Sequence, residues 1–376
     1  MITGAHFTPA VATIEELKKY PDVKVVYVGR KTTQEGDSSP SAESQVLPTL
    51  GVKYISIITG RLQRSFTLYT IPSLLKIPIG FMQAAYIILK EKPDVILSFG
   101  GYVAVPIVLM GWLFSKPIIV HEQTLVSGLA NTISSFFANK IALSFKQAKE
   151  FDFLKENSPM VYENKTIITG NPVRHMVTNI QGELSREFDI FNIAKRSKLP
   201  VILITGGNQG SHTINKTVEN ILGKLTKLAC IIHVTGDNKF KDFERLTEVG
   251  DFEGRYLVRK WIGQDYGVIL QKSDLVISRA GINTLSELAY IGKNALVIPF
   301  EPLYKDEQNE NARFFKDLGL VKILPQSKLS SDTLIENIKL MLKNLVELKQ
   351  KAKEIKKTII LDAAKRLALE TILLHI

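Results

Sequence analysis

The sequence predicts an α/β protein with two doubly wound domains, each a parallel β-sheet covered by helices on both faces. Short apolar runs rich in β-branched residues alternate with helical patterns from end to end, and this alternation produces parallel sheets. The runs form two series of about 170 residues each, a size typical of single domains. The turn Gly170-Asn171-Pro172 closes the first series. We therefore predict domains at 1–172 and 173–376.

The first series contains six apolar runs that read as buried strands, and helical patterns lie between them. Buried parallel strands are nearly continuous apolar runs, whereas helices repeat their apolar residues every three or four positions. Strands are predicted at 23–28, 52–57, 95–99, 117–120, 140–143 and 166–169, and helices at 8–19 and 127–137.

The second series repeats the pattern and ends in helices. Strands are predicted at 200–205, 229–235, 256–260, 275–278 and 295–299, and helices at 211–224, 284–291 and 307–318. A charged helix at 333–357 continues into an apolar one at 359–374, for which packing back on the first domain is an open alternative.

The uncharged stretch at 95–115 is long enough to span a bilayer. A β-branched run closed by Gly100-Gly101 is typical of a buried strand, however, and the residues after it favour an apolar helix carrying Pro106 and Gly111. We predict a strand followed by a buried helix.

The composition is that of a globular protein. Hydrophobic residues make up 45% and charged residues 23% of the 376, which excludes disordered, collagenous and coiled-coil classes. The single cysteine, Cys230, excludes an intramolecular disulfide framework and fits a reducing compartment. The first residues lack the basic start and apolar stretch of a signal peptide, so the cytoplasm is predicted.

The basic residues are concentrated in the first domain. Residues 44–149 carry 10 basic and 3 acidic groups, a net +7 of the chain's +11. Arg61, Arg64 and Lys76 are interleaved with apolar residues such as Leu75 and Met82, and such a rim binds anionic lipid at about 1 kcal/mol per basic group. A solvated basic face over a core helix is the alternative; we favour the membrane surface. No nucleic-acid motif occurs, and no nucleic-acid partner is predicted.

Glycine-bearing loops at predicted strand ends are the strongest chemical signal. Ligands bind at the carboxyl ends of parallel strands, where helix N-termini favour anions and glycine lets backbone N–H groups approach a phosphate. Four such loops indicate a nucleotide held in a cleft. The absence of a P-loop and of a Gly-x-Gly-x-x-Gly fingerprint argues against an NTPase or dehydrogenase. No Asp-x-Asp is present to hold a metal on a diphosphate, so backbone and helix dipoles must meet the leaving-group charge. The loops are Thr3-Gly4-Ala5-His6, Phe99-Gly100-Gly101-Tyr102, Thr205-Gly206-Gly207-Asn208-Gln209-Gly210-Ser211 and Ser278-Arg279-Ala280-Gly281-Ile282-Asn283-Thr284.

Several polar side chains lie in or near these loops. His6 can act as a general base, which we favour over a capping role. For His121 a structural hydrogen-bonding role and a functional one stay equally open. Glu287, one turn inside a helix, can accept both ribose hydroxyls or complement the helix dipole. Arg174 can pair with a phosphate or be a surface arginine.

Taken together, the motifs resemble the MurG family of GT-B glycosyltransferases, and the match runs in order from Thr3 to about Ala312. The residues that carry the resemblance are Thr3-Gly4-Ala5-His6-Phe7-Thr8-Pro9-Ala10, Phe99-Gly100-Gly101-Tyr102-Val103, His121-Glu122-Gln123, Gly170-Asn171-Pro172-Val173-Arg174, Thr205-Gly206-Gly207-Asn208-Gln209-Gly210, Arg279-Ala280-Gly281, Thr284-Leu285-Ser286-Glu287, Asp306-Glu307-Gln308 and Asn311-Ala312.

The resemblance implies two Rossmann-like domains facing a cleft, with an acceptor and membrane-associating N-terminal domain and a UDP-sugar-binding C-terminal domain. It implies inverting transfer of N-acetylglucosamine from UDP-N-acetylglucosamine to undecaprenyl-pyrophosphoryl-muramyl-pentapeptide, converting lipid I to lipid II by a β-1,4 link in peptidoglycan synthesis. That activity serves cell wall biogenesis, cell shape and cell division. The implied location is peripheral, on an anionic membrane surface at the cytoplasmic face of the cell membrane, with no bound metal and no cofactor.

The resemblance also implies roles for single residues. His6 would lie near the attacking acceptor hydroxyl, Glu287 would hold the ribose and Gln308 would reach the sugar hydroxyls. Ile262 would pack on the uracil or hydrogen-bond it through its backbone. The implied substrate-binding residues are Thr3, Gly4, Ala5, Thr124, Arg174, Asn208, Ile262, Ile282, Asn283, Thr284, Leu285, Ser286, Glu287 and Gln308.

The chain departs from the family's pattern at a few positions. Ala5 replaces a glycine, Thr124 an asparagine and Asn208 a serine, and only two residues precede Thr3, so the first strand is short or the chain begins upstream. Two alternatives therefore stay open: a related GT-B transferase with another sugar nucleotide or lipid acceptor, and a degenerate membrane-docked binding protein without turnover.

Overall fold

The computed structural model describes residues 1–32, 41–60, 70–126, 128–146, 163–179, 184–207, 209–301 and 306–375. The chain divides into two compact units, the first made of residues 1–174 and 360–376 and the second of residues 175–359. Arg61, Arg64 and Asn208, singled out from the sequence, lie outside the described residues.

Each unit is built on one parallel sheet. The seven-stranded sheet of the first unit has the order β3-β2-β1-β4-β5-β6-β7, and the six-stranded sheet of the second has the order β10-β9-β8-β11-β12-β13. The predicted pair of doubly wound parallel sheets is confirmed. The strands are β1 (Ile2–Gly4), β2 (Val26–Gly29), β3 (Lys53–Ser56), β4 (Ile96–Phe99), β5 (Ile118–Glu122), β6 (Lys140–Leu143), β7 (Thr166–Ile168), β8 (Val201–Thr205), β9 (Cys230–Val234), β10 (Tyr256–Arg259), β11 (Leu275–Ser278), β12 (Ala295–Val297) and β13 (Val321–Ile323).

Helices follow most strands and cover both faces of each sheet. Short 3₁₀ turns occur at Arg186–Phe188 and Gln326–Lys328. The α-helices are α1 (Phe7–Leu17), α2 (Ala42–Thr49), α3 (Thr70–Glu91), α4 (Ala104–Leu113), α5 (Leu129–Phe137), α6 (His175–Thr178), α7 (Ile190–Ser197), α8 (His212–Glu219), α9 (Leu222–Leu225), α10 (Asp242–Thr247), α11 (Tyr266–Lys272), α12 (Ile282–Ile291), α13 (Glu307–Asp317), α14 (Ser331–Lys343), α15 (Leu345–Lys356) and α16 (Ala363–Leu373).

The sheets are buried because apolar side chains fill the space on both of their faces. In the first unit, one core lies beneath α3 and α4 and includes Ile96, Ile107 and Ile118. The opposite face is covered by α1 and by the last helix, α16, which contributes Leu367. The second unit has one large core formed by β8, β11 and the helices around them. Cys230 is buried, as predicted.

The stretch at 95–115 forms β4 and then α4, so the predicted strand and buried helix are confirmed. Within the described part of the chain, no helix combines the length and apolar character needed to cross a bilayer.

Several elements differ from the sequence prediction. Strand β13 was not predicted, because its three residues are too few to show a pattern. Strand β1 also has only three residues, which agrees with the short first strand that the sequence left open. The single helix predicted at 333–357 is wrong: α14 and α15 are separate helices that meet at Asn344. The helix predicted at 211–224 is likewise two helices, α8 and α9.

Candidate functional site

The strand order of each sheet reverses at one place, and the glycine-bearing loops follow the strands at that place. In the first sheet β1 lies between β2 and β4, and in the second β8 lies between β9 and β11. A ligand crevice forms at such a reversal, because neighbouring loops leave toward opposite faces of the sheet. Thr205 pairs with Ser278, and Gly4 pairs with Phe99, so the loops begin side by side.

In the first unit, the loops after β1 and β4 are in direct contact. The backbone N–H of Ala5 donates to the carbonyl oxygen of Gly100 at 2.9 Å. A Cβ at Gly101, whose φ is +81°, would lie only 2.5 Å from the Cβ of Ala5. The methyl group of Ala5 therefore fits because residue 101 has no side chain.

Thr3 and Gly4 form the end of β1 in the middle of the sheet. Thr3 is fully buried, and its Oγ1 has no hydrogen-bond partner among the described residues. The carbonyl oxygen of Gly4 accepts a hydrogen bond from the Tyr27 hydroxyl at 2.8 Å. The buried hydroxyl of Thr3 is thus a polar group with unused hydrogen-bonding capacity.

His6 stands at the start of α1 and contacts Gln123, which follows β5. Nδ1 of His6 lies 2.6 Å from the side-chain Nε2 of Gln123. Burial, with a smaller contribution from the charge of Arg30, lowers the pKa of His6 to about 4. His6 is therefore neutral at pH 7 and can accept a proton.

The residues beside Gln123 form a buried hydrogen-bond network around Glu122. Glu122 Oε1 accepts from the backbone N–H of Thr124 at 2.9 Å, and Oε2 accepts from Asn131 Nδ2 at 2.8 Å. The hydroxyl of Thr124 donates to the carbonyl oxygen of Val126 at 2.7 Å. Thr124 is thereby fixed within the loop after β5.

His121 is a buried member of β5. Its Nε2 lies 3.3 Å from the carbonyl oxygen of Gly170 and 3.2 Å from the Ser144 hydroxyl. Burial lowers the pKa of His121 to about 3, although the Gly170 carbonyl opposes the shift. These contacts fit the structural alternative that the sequence left open.

In the second unit, the loop after β8 leads into the N-terminus of α8. A Cβ at Gly210 would lie 1.7 Å from the carbonyl oxygen of Thr235, so only glycine fits there. Ser211 is the N-cap of α8, and its side chain accepts from the backbone N–H of Ile214. The neighbouring helix α12 begins after Gly281 without a side-chain cap. Two helix N-termini therefore lie at the reversal of this sheet, and each favours an anion.

Arg279 places a buried positive charge between these two helix ends. It donates to the carbonyl oxygens of Ile298 at 3.0 Å and Pro299 at 3.3 Å, and to Ser211 Oγ at 2.7 Å. Burial lowers the pKa of Arg279 to about 10, so the side chain remains a cation at pH 7. The negative charge of Glu301 acts against this shift.

The predicted donor-binding residues 282–287 form the first turns of α12. The side chains of Ile282, Leu285, Ser286 and Glu287 are buried, whereas Asn283 and Thr284 are partly exposed. Ile282 and Leu285 pack toward the core. The polar side chains of these turns are therefore the ones that can contact a ligand.

Gln308 and Asn311 of α13 hold the loop that precedes α12. Gln308 Oε1 accepts from the backbone N–H of Phe300 at 2.9 Å and of Ala280 at 3.3 Å. Asn311 Nδ2 donates to the carbonyl oxygen of Ala280 at 3.4 Å. Because its carbonyl is used in this way, Gln308 presents its amide NH₂ group as a donor.

The remaining predicted residues lie elsewhere in their units. Ile262 follows β10 and is half-buried, and Arg174 ends the first segment of the first unit. The structure thus brings Thr3, Gly4, Ala5 and His6 together at one sheet edge. In the second unit it brings together residues 282–287 and Gln308. Within the described residues, no group of three or more His, Cys, Asp or Glu side chains is arranged to hold a metal ion.

Sequence reasoning missed two residues at these loops. Gln123 was recognised only as part of a motif, and Arg279 only as the residue before Ala280. Nothing local in the sequence reveals that Gln123 touches a histidine 117 positions away or that Arg279 donates to two backbone carbonyl oxygens and to Ser211. For Arg279, the sequence did offer one indication: it is a lone arginine at the end of an otherwise apolar strand.

Comparison with known proteins places the chain in a family. The glycosyltransferase family 28 N-terminal domain matches residues 3–143, and the family 28 C-terminal domain matches residues 201–367. The UDP-N-acetylglucosamine–N-acetylmuramyl-(pentapeptide) pyrophosphoryl-undecaprenol N-acetylglucosamine transferase of Legionella pneumophila (strain Paris) is 30% identical over 355 residues, covering 94% of this chain and 90% of that protein. The same transferase of Clostridium botulinum (strain Alaska E43 / Type E3) is 32% identical over 337 residues, covering 89% and 86%.

A solved structure has the same fold. The crystal structure of Acinetobacter baumannii MurG superposes with a TM-score of 0.68 at 20% identity, covering 98% of both chains. The family models and the curated relatives together span most of the sequence. This chain therefore belongs to the MurG family within glycosyltransferase family 28, and the resemblance inferred from its motifs is confirmed.

Proposed function

We propose that this protein transfers N-acetylglucosamine from UDP-N-acetylglucosamine to the lipid-linked N-acetylmuramyl-pentapeptide, with inversion at C1, in peptidoglycan synthesis. The curated relatives are named as this transferase, and the match covers about nine-tenths of their length. The observation that carries the proposal is the anion site of the second unit, where two helix N-termini and the buried charge of Arg279 lie at the reversal of the sheet.

The diphosphate of the donor fits that site. The N-terminus of α8 and that of α12 each present backbone N–H groups and the positive end of a helix dipole. Arg279 adds a full charge whose hydrogen bonds go only to neutral oxygens. When the bond to C1 breaks, this site stabilises the negative charge that develops on the departing UDP.

The rest of the donor would be recognised by groups next to this site. The buried carboxylate of Glu287, on the second turn of α12, suits the two ribose hydroxyls, and Ile262 suits the apolar face of the uracil. The amide NH₂ of Gln308 is free to donate to sugar hydroxyls, because its carbonyl oxygen already accepts from Phe300 and Ala280. Asn283, Thr284 and the remaining predicted residues would complete the donor site.

In the first unit, His6 would act as the general base. The oxygen of the acceptor hydroxyl attacks C1, its proton passes to the imidazole, and the bond between C1 and the β-phosphate oxygen breaks as UDP leaves with the electron pair. Burial keeps the His6 imidazole neutral at pH 7, so one of its ring nitrogens has a lone pair that can accept the proton. A single displacement of this kind inverts the configuration at C1.

The same unit exposes an apolar surface that would dock on the membrane. We call it the α3 apolar face; it is one side of α3 extended by the end of α4. Its residues are large, apolar and exposed at helical spacing, whereas side chains of such size are normally buried in a soluble helix. Its members are Ile71, Leu75, Ile79, Met82, Tyr86, Leu89, Trp112 and Leu113.

Basic residues accompany the α3 apolar face. Lys76 and Lys90 lie on the same helix, and the ammonium group of Lys90 lies 5.5 Å from the centre of the Tyr86 ring. Apolar side chains that insert between lipids and lysines that attract anionic headgroups together suit the anionic cytoplasmic leaflet. Docking there would bring the protein to its lipid-linked acceptor.

A transfer assay tests the proposed function. Purified full-length protein is incubated with labelled UDP-N-acetylglucosamine and the lipid-linked acceptor, and the lipid product is identified. We expect a disaccharide-bearing lipid and an equal amount of UDP. No product from the unmutated protein would favour a binding-only protein, and product only with another UDP sugar would favour a related transferase.

The role of His6 is tested in the same assay. His6→Ala should lower kcat by about 10²–10⁴ and leave binding of UDP nearly unchanged, because the base acts in the chemical step. His375→Ala, at an exposed histidine near the end of the chain, is the matched control and should keep full activity. Unchanged turnover of His6→Ala would remove His6 from the mechanism.

A further inference from the structure

The contact between His6 and Gln123 decides which nitrogen of the imidazole carries its proton. Gln123 is nearly fully buried; its side-chain Nε2 lies 2.6 Å from Nδ1 of His6, and its Oε1 has no hydrogen-bond partner among the described residues. In a neutral imidazole one nitrogen donates and the other accepts. Among the described residues no other hydrogen-bond partner of His6 occurs. The amide of Gln123 therefore sets the tautomer of His6.

The backbone on both sides of Gln123 is fixed, so its side chain is held in place. Glu122 binds the backbone N–H of Thr124 and also the side chain of Asn131, on α5. Glu122 and Gln123 are both almost inaccessible to solvent. A side chain anchored in this way can orient another, as the supporting residues of catalytic sites do.

The amide can present either of two atoms to Nδ1. In the structure the NH₂ group lies against Nδ1, and a half-turn about the last torsion of the Gln123 side chain exchanges it with the oxygen at the same two positions. If the NH₂ group donates to Nδ1, the ring proton is on Nε2, and Nε2 cannot accept a proton. If the carbonyl oxygen accepts from Nδ1–H, Nε2 carries the lone pair that a base requires.

The length of the contact favours the carbonyl oxygen. Hydrogen bonds between nitrogen and oxygen are typically about 2.7–3.2 Å long, and oxygen is the smaller of the two atoms. A separation of 2.6 Å is therefore short even for an N–H···O bond and shorter still for a contact between two nitrogens.

We propose that Gln123 is a positioning residue whose side-chain carbonyl accepts from Nδ1–H of His6 and so keeps Nε2 as the proton acceptor for the transfer reaction. The proposal rests on the proposed function, in which His6 is the base. Because the orienting group is a neutral amide, it fixes the ring without stabilising the imidazolium, as a carboxylate in its place would.

The charged and titratable groups near His6 define what a pH experiment reports. Arg30 lowers the pKa of His6 through its positive charge, and His121 is close enough to interact with His6 electrostatically. Neither forms a hydrogen bond with His6, so a change at residue 123 acts on a ring that has no other direct partner in the described chain.

The first test measures the tautomer directly and needs no turnover. In full-length protein labelled with ¹⁵N, the His6 signals are identified by their absence from His6→Gln. We expect a protonated Nδ1 and an unprotonated Nε2 at pH 7. A protonated Nε2 would overturn the proposal, whether or not the protein transfers sugar, so this result is independent of the proposed function.

The second test uses two substitutions in the transfer assay. Gln123→Glu places a negative charge against the ring, so the acidic limb of the kcat/KM profile should move up by about 1–3 pH units. Gln123→Met removes the hydrogen bond at similar size, so kcat should fall by about 10²–10⁴ while the KM for UDP-N-acetylglucosamine stays nearly constant.

Gln45→Glu is the matched control, because it makes the same charge change at an exposed position on α2 of the same unit. It should leave the pH profile in place. A purely structural Gln123 would alter stability without moving the acidic limb, and an unmoved limb in folded Gln123→Glu would contradict the proposal. If the unmutated protein shows no transfer, the proposed function fails, and the tautomer measurement alone decides the role of Gln123.

Discussion

Replacing two members of the α3 apolar face by glutamine should release the protein from membranes. Leu75 and Met82 are 69% and 73% exposed, so roughly 0.7 of each side chain is available for insertion. Complete burial of such a side chain is worth about 1.5–3 kcal/mol, which gives about 1–2 kcal/mol for each and about 2–4 kcal/mol for both. Leu75→Gln/Met82→Gln should therefore bind vesicles about 30–1000-fold more weakly. Glutamine keeps the helix propensity of α3.

Co-sedimentation with phosphatidylglycerol vesicles at about 0.1 M salt measures this partition. Leu340→Gln/Val346→Gln is the matched control: these residues are 48% and 86% exposed on helices of the second unit, and their replacement should not change binding. About 1 M salt should weaken the unmutated protein further, because it screens Lys76 and Lys90. Binding by the α3 double variant within threefold of the unmutated protein would refute the docking surface.

Two further predictions concern stability. Gly101→Ala should lower the free energy of unfolding, measured by urea titration, by about 2–4 kcal/mol, because residue 101 has a positive φ and the new methyl group would clash with Ala5. Adding Ala5→Gly should restore part of the lost stability. Gly223→Ala is the control and should be neutral, because there is open space around Gly223. An equal loss with and without Ala5→Gly would show that the two loops are not in contact. Burial lowers the pKa of His233 to about 3, so the unfolded chain binds its proton first as pH falls. Stability should fall by about 2 kcal/mol between pH 7 and pH 5 because of this residue, and His233→Gln should remove that part of the dependence; an unchanged pH slope would contradict it.

Much of the fold could be predicted because parallel sheets bury their strands on both faces. Val201–Thr205 is apolar at four of its five positions, and such a short β-branched run is typical of a strand buried on both faces. The glycine-bearing loops were visible for a related reason, since close backbone approach at Gly210 excludes every side chain. Local chemistry thus fixed the strands and the edge at which a ligand would bind.

The rest depended on contacts between distant parts of the chain. Strand β1 is recognisable only by its place between β2 and β4, because three residues carry no periodicity. The boundary at Asn344 lies within an amphipathic pattern that continues on both sides. The roles of Gln123 and Arg279 follow from their neighbours in space. Gln123 contacts His6, near the beginning of the chain, and Arg279 donates to backbone carbonyl oxygens.

The affinity for UDP with and without the charge of Arg279 tests the central claim, that the second unit holds the diphosphate at its two helix ends. Calorimetric titration of Arg279→Met should show UDP binding weakened about 10–100-fold and uridine binding unchanged, since a hydrogen bond to a charged group contributes about 1.5–3 kcal/mol. Arg196→Met, at an exposed arginine of the same unit, should bind both ligands as the unmutated protein does. Equal UDP affinity in Arg279→Met and the unmutated protein, or an equal loss for UDP and uridine, would contradict the account.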